Sequence, residues 1–254
     1  MIDITDYPTA VLLVACPILW LAARVGVRLS RQLPLDDDMR QDFNTLQAAA
    51  LTLLGLIIAF SFSLAAERYN QRKNLEEAEA NAIGTAYVRA ALLPAADAAK
   101  LRPLLKAYLD HRIQYYTAFR DSETRDISKQ TAKLQEELWA AVVGPATATP
   151  TPIVALVVSG MNEVLNAQGY TQAAWWNRIP GSAWGLMGVI GLFCHILVGY
   201  GARSLATARR LLFIFPAFIG IAFAFIADID APRHGIIRVS PQNLISLANS
   251  LSPP

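Results

Sequence analysis

The chain has 254 residues, 54% of them hydrophobic and only 17% charged, with a formal net charge of +2. Soluble domains carry fewer apolar and more charged residues, so composition describes an integral membrane protein with a sizeable polar part. The small net charge and the lack of a dense Lys/Arg cluster give no basis for a nucleic-acid partner.

Residues 8–24 form the first apolar run and read as a membrane span, kinkable at Pro17. Leu13-Val14-Ala15-Cys16 looks like a lipoprotein cleavage site. Asp3 and Asp6 before it, with no Lys or Arg, reverse the charge of a signal segment, and the apolar run continues to Val27. An uncleaved helix is the better reading. A polar link, residues 28–44, holds Asp36-Asp37-Asp38, acidic residues that suit the N-terminus of the next helix.

Residues 46–93 carry the most information. The first half is apolar all round, the second half is polar, and no Pro separates them. At ~1.5 Å per residue, residues 46–66 cover roughly 30 Å, one bilayer core. The same helix would then continue ~40 Å into water before Pro94 stops it.

The following hundred residues read as all-helical. Leu101, Leu104, Leu105, Tyr108 and Ile113 give helical spacing within residues 97–119, with Pro103 as a kink or first turn. A second helix is expected over residues 126–143, then a Pro/Thr loop over residues 144–152. Pro152 suits the first turn of a helix to about Ala167. Spans three and four are expected over residues 183–200 and 211–227, joined by a loop holding Arg203, Arg209 and Arg210. A turn at residues 232–235 and a small helix capped by Ser240-Pro241 end the chain.

The fold class is therefore all-α, with four transmembrane helices and a helical extramembrane domain between spans two and three. The expected division is residues 1–66 for the first transmembrane pair and 67–180 for the helical domain continuing span two. Residues 181–227 form the second pair, and 228–254 a tail packing on the helical domain. An even span count puts both termini and the domain on one side. Arg24, Arg28, Arg31, Arg40, Arg203, Arg209 and Arg210 in the short loops favour those loops inside, whereas Arg68, Arg72, Lys73 and Arg178 pull the domain side inward.

On the long helix, Leu56, Phe60, Ser63, Glu67, Asn70, Asn74, Glu77 and Asn81 recur at steps of three and four on one face. In an oligomer that face would line an axial path, with an apolar ring followed by hydroxyl, acid and amide rings. The bland alternative is a solvated or inter-helix face. Ser61 and Ser63 suit bonds to their own backbone or a neighbouring helix. His195, without a carboxylate partner in the bilayer, suits a helix–helix hydrogen bond. Asp228 and Asp230 suit capping of the turn at Pro232 or pairing with arginines of the long helix, with a bound cation as the alternative. Gly84 suits close helix packing, Cys16 and Cys194 are packing residues, and Trp175, Trp176 and Trp184 read as interfacial anchors. No nucleophile–base pair, phosphate loop or metal motif is present, so neither an enzyme nor a cofactor or metal is expected.

Residues 51–72, LTLLGLIIAFSFSLAAERYNQR, resemble the second helix of bestrophins. Phe60 or Phe62 stands for the aromatic, and Glu67-Arg68-Tyr69-Asn70-Gln71-Arg72 for the helix exit. Asp228, Asp230, Pro232 and Gly235, followed by Asn243-Leu244, are similar to a second bestrophin segment. The similarity is closer to bacterial bestrophin-like proteins. There, an ERY…R…EANAIGT…R..LLP pattern corresponds to Glu67-Arg68-Tyr69, Arg72, residues 79–85, Arg89 and Leu92-Leu93-Pro94. His234 departs from the bestrophin pattern, and no acidic cluster follows Gly235, so the calcium clasp of animal bestrophins does not carry over.

The resemblance implies a homo-oligomer, a pentamer in bestrophins, in a bacterial inner membrane with a cytoplasmic domain. It implies an ion channel whose partners are the lipid bilayer and small inorganic ions. The alternative function is a non-conducting membrane scaffold or sensor whose helical domain binds a partner.

Overall fold

The computed structural model describes residues 4–202 and 205–251, and the described residues contain helices and no strand. Asp3, Arg203 and the side chains of Asp37, Arg209 and Arg210 lie outside the described residues. Among the described residues, four segments are long and apolar enough to cross a membrane: Pro8–Gln32, Asp38–Leu92, Pro152–Tyr200 and Leu212–Asp230. The chain divides into two compact units, Met1–Arg68 with Arg178–Arg238, and Tyr69–Asn177 with Val239–Pro254.

Helix α1, Pro8–Gln32, starts with Pro8 in its first turn, where a missing N–H costs nothing. It ends at Leu33, whose φ of −129° and ψ of 77° leave the helical region, as a residue before proline must. The helix thus runs two turns past the Arg24 limit expected from apolarity. Hydropathy ends a span, but Arg, Val and Leu still continue a helix. Helix α2, Asp37–Arg89, is one unbroken helix of 53 residues. The Asp36 carboxylate caps it, accepting from the Met39 N–H at 2.8 Å. The membrane boundary leaves no break in it, because every residue from Ala65 to Arg72 is helical. A 3-10 turn, Ala90–Leu92, then leads to Pro94.

In the first unit α1 packs on α6, Gly181–Tyr200, and α7, Leu205–Asp230. A Cβ at Gly26 would collide with the Ile196 carbonyl, and one at Gly199 with the Ala23 carbonyl. Lipid tails are as apolar as leucine, so this close backbone approach, and not hydrophobic exclusion, holds the pair together. Gly220 of α7 likewise leaves room for Cys16, and Cys194 donates its thiol to the Ala50 carbonyl at 3.3 Å. The His195 Nδ1 bonds the Gly191 carbonyl of its own helix at 2.7 Å, and across to α7 its ring lies against that of Phe215, tilted by 31° with centroids 4.6 Å apart.

The second unit holds the later part of α2 with α3, Ala95–Thr117, α4, Asp121–Ala148, α5, Pro152–Trp176, and α8, Gln242–Leu251. Ile83, Leu101, Leu105, Leu109, Leu138, Val142, Met161 and Val164 are all but inaccessible in its core. Each such side chain contributes about 1.5–3 kcal/mol relative to exposure. Pro103 lies inside α3 and does not start it.

Three expectations are corrected here. The loop expected over residues 144–152 shrinks to residues 149–151, because α4 continues through Pro145 to Ala148. The Thr147 hydroxyl donates to the Val143 and Gly144 carbonyls at 3.0 and 2.9 Å, satisfying acceptors in that last turn. Helix α5, capped by the Thr151 hydroxyl, runs past Ala167 to Trp176. Trp175 is no interfacial anchor: it is 5% exposed and packs on Tyr115 and Tyr116, whereas Trp176 is 75% exposed.

Candidate functional site

The two faces of α2 carry opposite chemistry. Leu56, Phe60, Ser63, Glu67, Asn70, Asn74, Glu77 and Asn81 alternate steps of four and three, and all eight are exposed on the single chain. Leu56 is 49% and Phe60 61% exposed, unusual for large apolar groups unless lipid or another chain covers them. The opposite face is buried: Leu54, Ser61 and Ala65 in the first unit, and Arg72, Glu76, Glu79, Ala80, Ile83 and Ala86 in the second. Four glutamates therefore divide cleanly, Glu67 and Glu77 outward and Glu76 and Glu79 inward.

Glu79 is fully buried. Its carboxylate accepts from Nε of Arg112 and, at 3.3 Å, from Nη2 of the same guanidinium. It also accepts from the Tyr116 and Thr171 hydroxyls, both at 3.3 Å. One carboxylate thus ties α2 to α3 and α5. Beside it, Gln135 of α4 donates to the Tyr108 hydroxyl of α3 at 3.5 Å and to Gln168 of α5 at 3.4 Å. The Arg112 guanidinium lies 4.6 Å from the centroid of the Tyr115 ring. Burial works against the Arg112 charge, but the Glu79 carboxylate outweighs it and holds the guanidinium more firmly protonated. Burial, and then the Glu79 charge, pushes the Tyr108 and Tyr116 hydroxyls well above their ordinary range.

Glu76, three residues earlier on the same face, caps α8. It accepts from the Asn243 and Leu244 N–H groups at 2.9 and 3.0 Å and from Asn243 Nδ2 at 2.6 Å. The other end of α8 receives the Lys106 ammonium at the Leu251 carbonyl. Carboxylate at the N-terminus and ammonium at the C-terminus both match the helix dipole. Leu247 of α8 sits over Gly84, 3.1 Å from where a Cβ would stand. The cap expected from Ser240 is thus supplied by α2.

Among the other sequence-predicted residues, Tyr69 packs against the core of the second unit and Arg72 is buried, while Arg68 is half-buried. Asp228 caps the turn that follows α7, accepting from the Ile236 and Ile237 N–H groups at 2.6 and 2.9 Å. Pro232 lies in that turn, and Gly235 is needed there because a Cβ would strike the Asp228 carbonyl. Asp230 pairs with Arg178 at 3.3 Å and accepts from the Ile179 N–H at 3.2 Å. Arg178 also pairs with Asp6 and donates to the Thr5 carbonyl, fixing the N-terminal turn.

Sequence reasoning singled out the outward residues and missed Glu76, Glu79 and Arg112. The signal was present: Glu76 and Glu79 share a face with Ile83 and Ala86 at helical spacing. Carboxylates in line with a buried apolar stripe call for a buried partner.

Four membrane-length segments and a single helix shared by two units define a helical membrane protein. The chain belongs to the bestrophin-like family: the bestrophin-like domain matches residues 10–244. Among solved structures it is similar to a point variant of a bacterial bestrophin homologue from Klebsiella pneumoniae. That similarity has 13% identity, 94% of this chain and 99% of that chain covered, and a TM-score of 0.65. A second structure of the bestrophin homologue from Klebsiella pneumoniae matches with 15% identity, 96% and 98% coverage and a TM-score of 0.62. A variant of a solved membrane protein matches with 12% identity, 93% and 98% coverage and a TM-score of 0.63. At such identities the similarity is one of fold. A comparison with curated proteins finds no match.

Two outcomes follow from the buried network. Arg112→Met leaves Glu79 charged and uncompensated, so the extramembrane unit should lose about 3–5 kcal/mol. Denaturant unfolding followed by Trp175 fluorescence measures this, and a loss below about 1 kcal/mol would show that the pair is not needed. The second outcome concerns alkali. Tyr108 and Tyr116 have folded-state pKa values raised above the ordinary 10.0. Their contribution is complete below that value and is lost as pH rises through and above it. Thermal unfolding should therefore be unaffected by these groups at neutral pH and fall above about pH 10, less steeply in Tyr108→Phe/Tyr116→Phe.

Proposed function

We propose that the chain is one subunit of a homo-oligomeric ion channel in which the exposed stripe of α2 lines the axial path. The observation that carries this reading is the clean division of α2, with all eight stripe residues open and the opposite face buried. Membership of the bestrophin-like family, known for ion channels, supports it. Leu56 and Phe60 would form an apolar constriction that gates by dewetting. Ser63, Glu67, Asn70, Asn74, Glu77 and Asn81 would supply polar rings beyond it. Small inorganic ions would be the transported species, and channel function requires no enzyme chemistry.

Symmetry repeats each stripe carboxylate in every subunit, so Glu67 and Glu77 concentrate cations and repel anions along the axis. Planar-bilayer recording of purified protein should show unitary currents with a cation-biased reversal potential, strongest in dilute salt. Glu67→Gln/Glu77→Gln should shift that potential toward the anion side. Absence of currents under several salts would favour the non-conducting scaffold or sensor. An unchanged reversal potential would remove both carboxylates from the path.

We place the extramembrane unit and both termini on the cytoplasmic side of a bacterial inner membrane. Long domains escape the charge rule, and Arg68 and Lys73 flank the membrane on the domain side. In intact cells an Asp97→Cys variant should stay unlabelled by an impermeant thiol reagent until the membrane is opened. Immediate labelling would put the unit outside.

A further inference from the structure

We propose that Arg24, Arg28 and Arg31 of α1 form a binding site for the phosphodiester headgroup of an anionic glycerophospholipid. Steps of four and three put the three guanidinium groups on one face of the helix, and all three residues are exposed. Among the described residues none of them takes part in an ion pair, unlike Arg89, Arg112 and Arg178. The row is displayed on an ordered helix end. The Tyr200 hydroxyl donates to the Leu33 carbonyl at 2.6 Å, and the Tyr200 ring packs on Phe43 at 5.2 Å.

The same row continues inward as Trp20, Pro17 and Leu13, none of them buried, with Leu13 72% exposed. Beside it Leu21, Val25 and Leu29 are 54%, 49% and 40% exposed. Cationic and apolar surfaces are thus continuous along one helix, the pattern a lipid presents in reverse. A phosphate would meet the guanidinium groups while the acyl chains run along Trp20, Pro17 and Leu13. The depth of Arg24 strengthens the case. It lies 16 positions beyond Pro8, about 24 Å along a helix that is long and apolar enough to span, and a hydrocarbon core is about 30 Å thick. A guanidinium at that depth must reach a headgroup or stay costly. The Arg24 guanidinium lies 4.7 Å from the centroid of the Trp20 ring, and tryptophan favours that interfacial level. Planar guanidinium forks grip phosphate oxygens in pairs. A water-soluble phosphate would satisfy the charges but leave the adjoining apolar row unused, so the lipid is the better occupant.

Native mass spectrometry of the detergent-purified full chain tests this with palmitoyl-oleoyl phosphatidylglycerol and phosphatidylcholine as probes. Wild type should retain the glycerol lipid over the choline lipid by about tenfold or more, since each basic residue at a membrane surface adds several-fold. Arg24→Gln/Arg28→Gln/Arg31→Gln should abolish the preference, and the triple Lys variant should keep part of it. If the Gln variant fails to fold, raising ionic strength on wild type gives the same discrimination, because the preference must then fall. Equal retention of the two lipids by wild type would overturn the proposal, as would an unchanged preference in a folded Gln variant. Displacement by glycerol 3-phosphate would overturn it in favour of a soluble-anion site. A change of oligomer size without a change in lipid retention would overturn it in favour of a contact with a second copy.

Discussion

The extramembrane unit depends on one buried carboxylate. Glu79 sits fully buried on the inner face of α2, in line with Ile83 and Ala86, and it meets Arg112, Tyr116 and Thr171 from two other helices. A charge in that position is costly unless every lone pair is engaged, so the helices around it have little freedom to slide. Glu76 extends the same constraint to α8, which is short and would not hold together alone. Two glutamates one turn apart thereby fix the inward face of α2 in the second unit. Whatever α2 presents outward follows from that choice.

The first unit reaches the same kind of definition by a different route. In a bilayer apolar side chains gain nothing from meeting each other, so contact geometry decides. Gly26, Gly199 and Gly220 let α1, α6 and α7 approach to backbone distance. Buried Leu54, Ser61 and Ala65 give α2 its inner face there. In the proposed channel this matters functionally. A stripe can line a path only if its helix is prevented from rotating, and each unit supplies its own restraint on the rotation of α2.

The elements were largely legible because membrane helices announce themselves by length and apolarity. The unbroken α2 followed from the absence of proline between Leu46 and Leu93 and from good helix formers across the boundary. Less legible were the ends governed by tertiary contact. Pro145 and Gly144 read as loop residues, but the Thr147 hydroxyl and the packing of Val142 carry the helix past them. Trp175 and Trp176 are neighbours with opposite fates, and which one turns inward is set by Tyr115 and Tyr116, some sixty positions earlier. The same holds for the site. The outward stripe is periodic and local, so the sequence shows it, whereas Glu79 acquires its meaning from Arg112 on another helix. Family membership was legible from the ERY and EANAIGT stretches, the second of which carries Glu79 and Ile83 of that inner face.

The orientation of α2 within the assembled particle is the central claim. An electron-microscopy map of the purified oligomer tests it most directly. The account predicts a symmetric ring in which Leu56, Phe60, Glu67 and Glu77 of every copy face a common axis, with Glu76 and Glu79 turned away from it. A map in which the stripe faces lipid, or packs against another helix around a closed axis, would contradict the account.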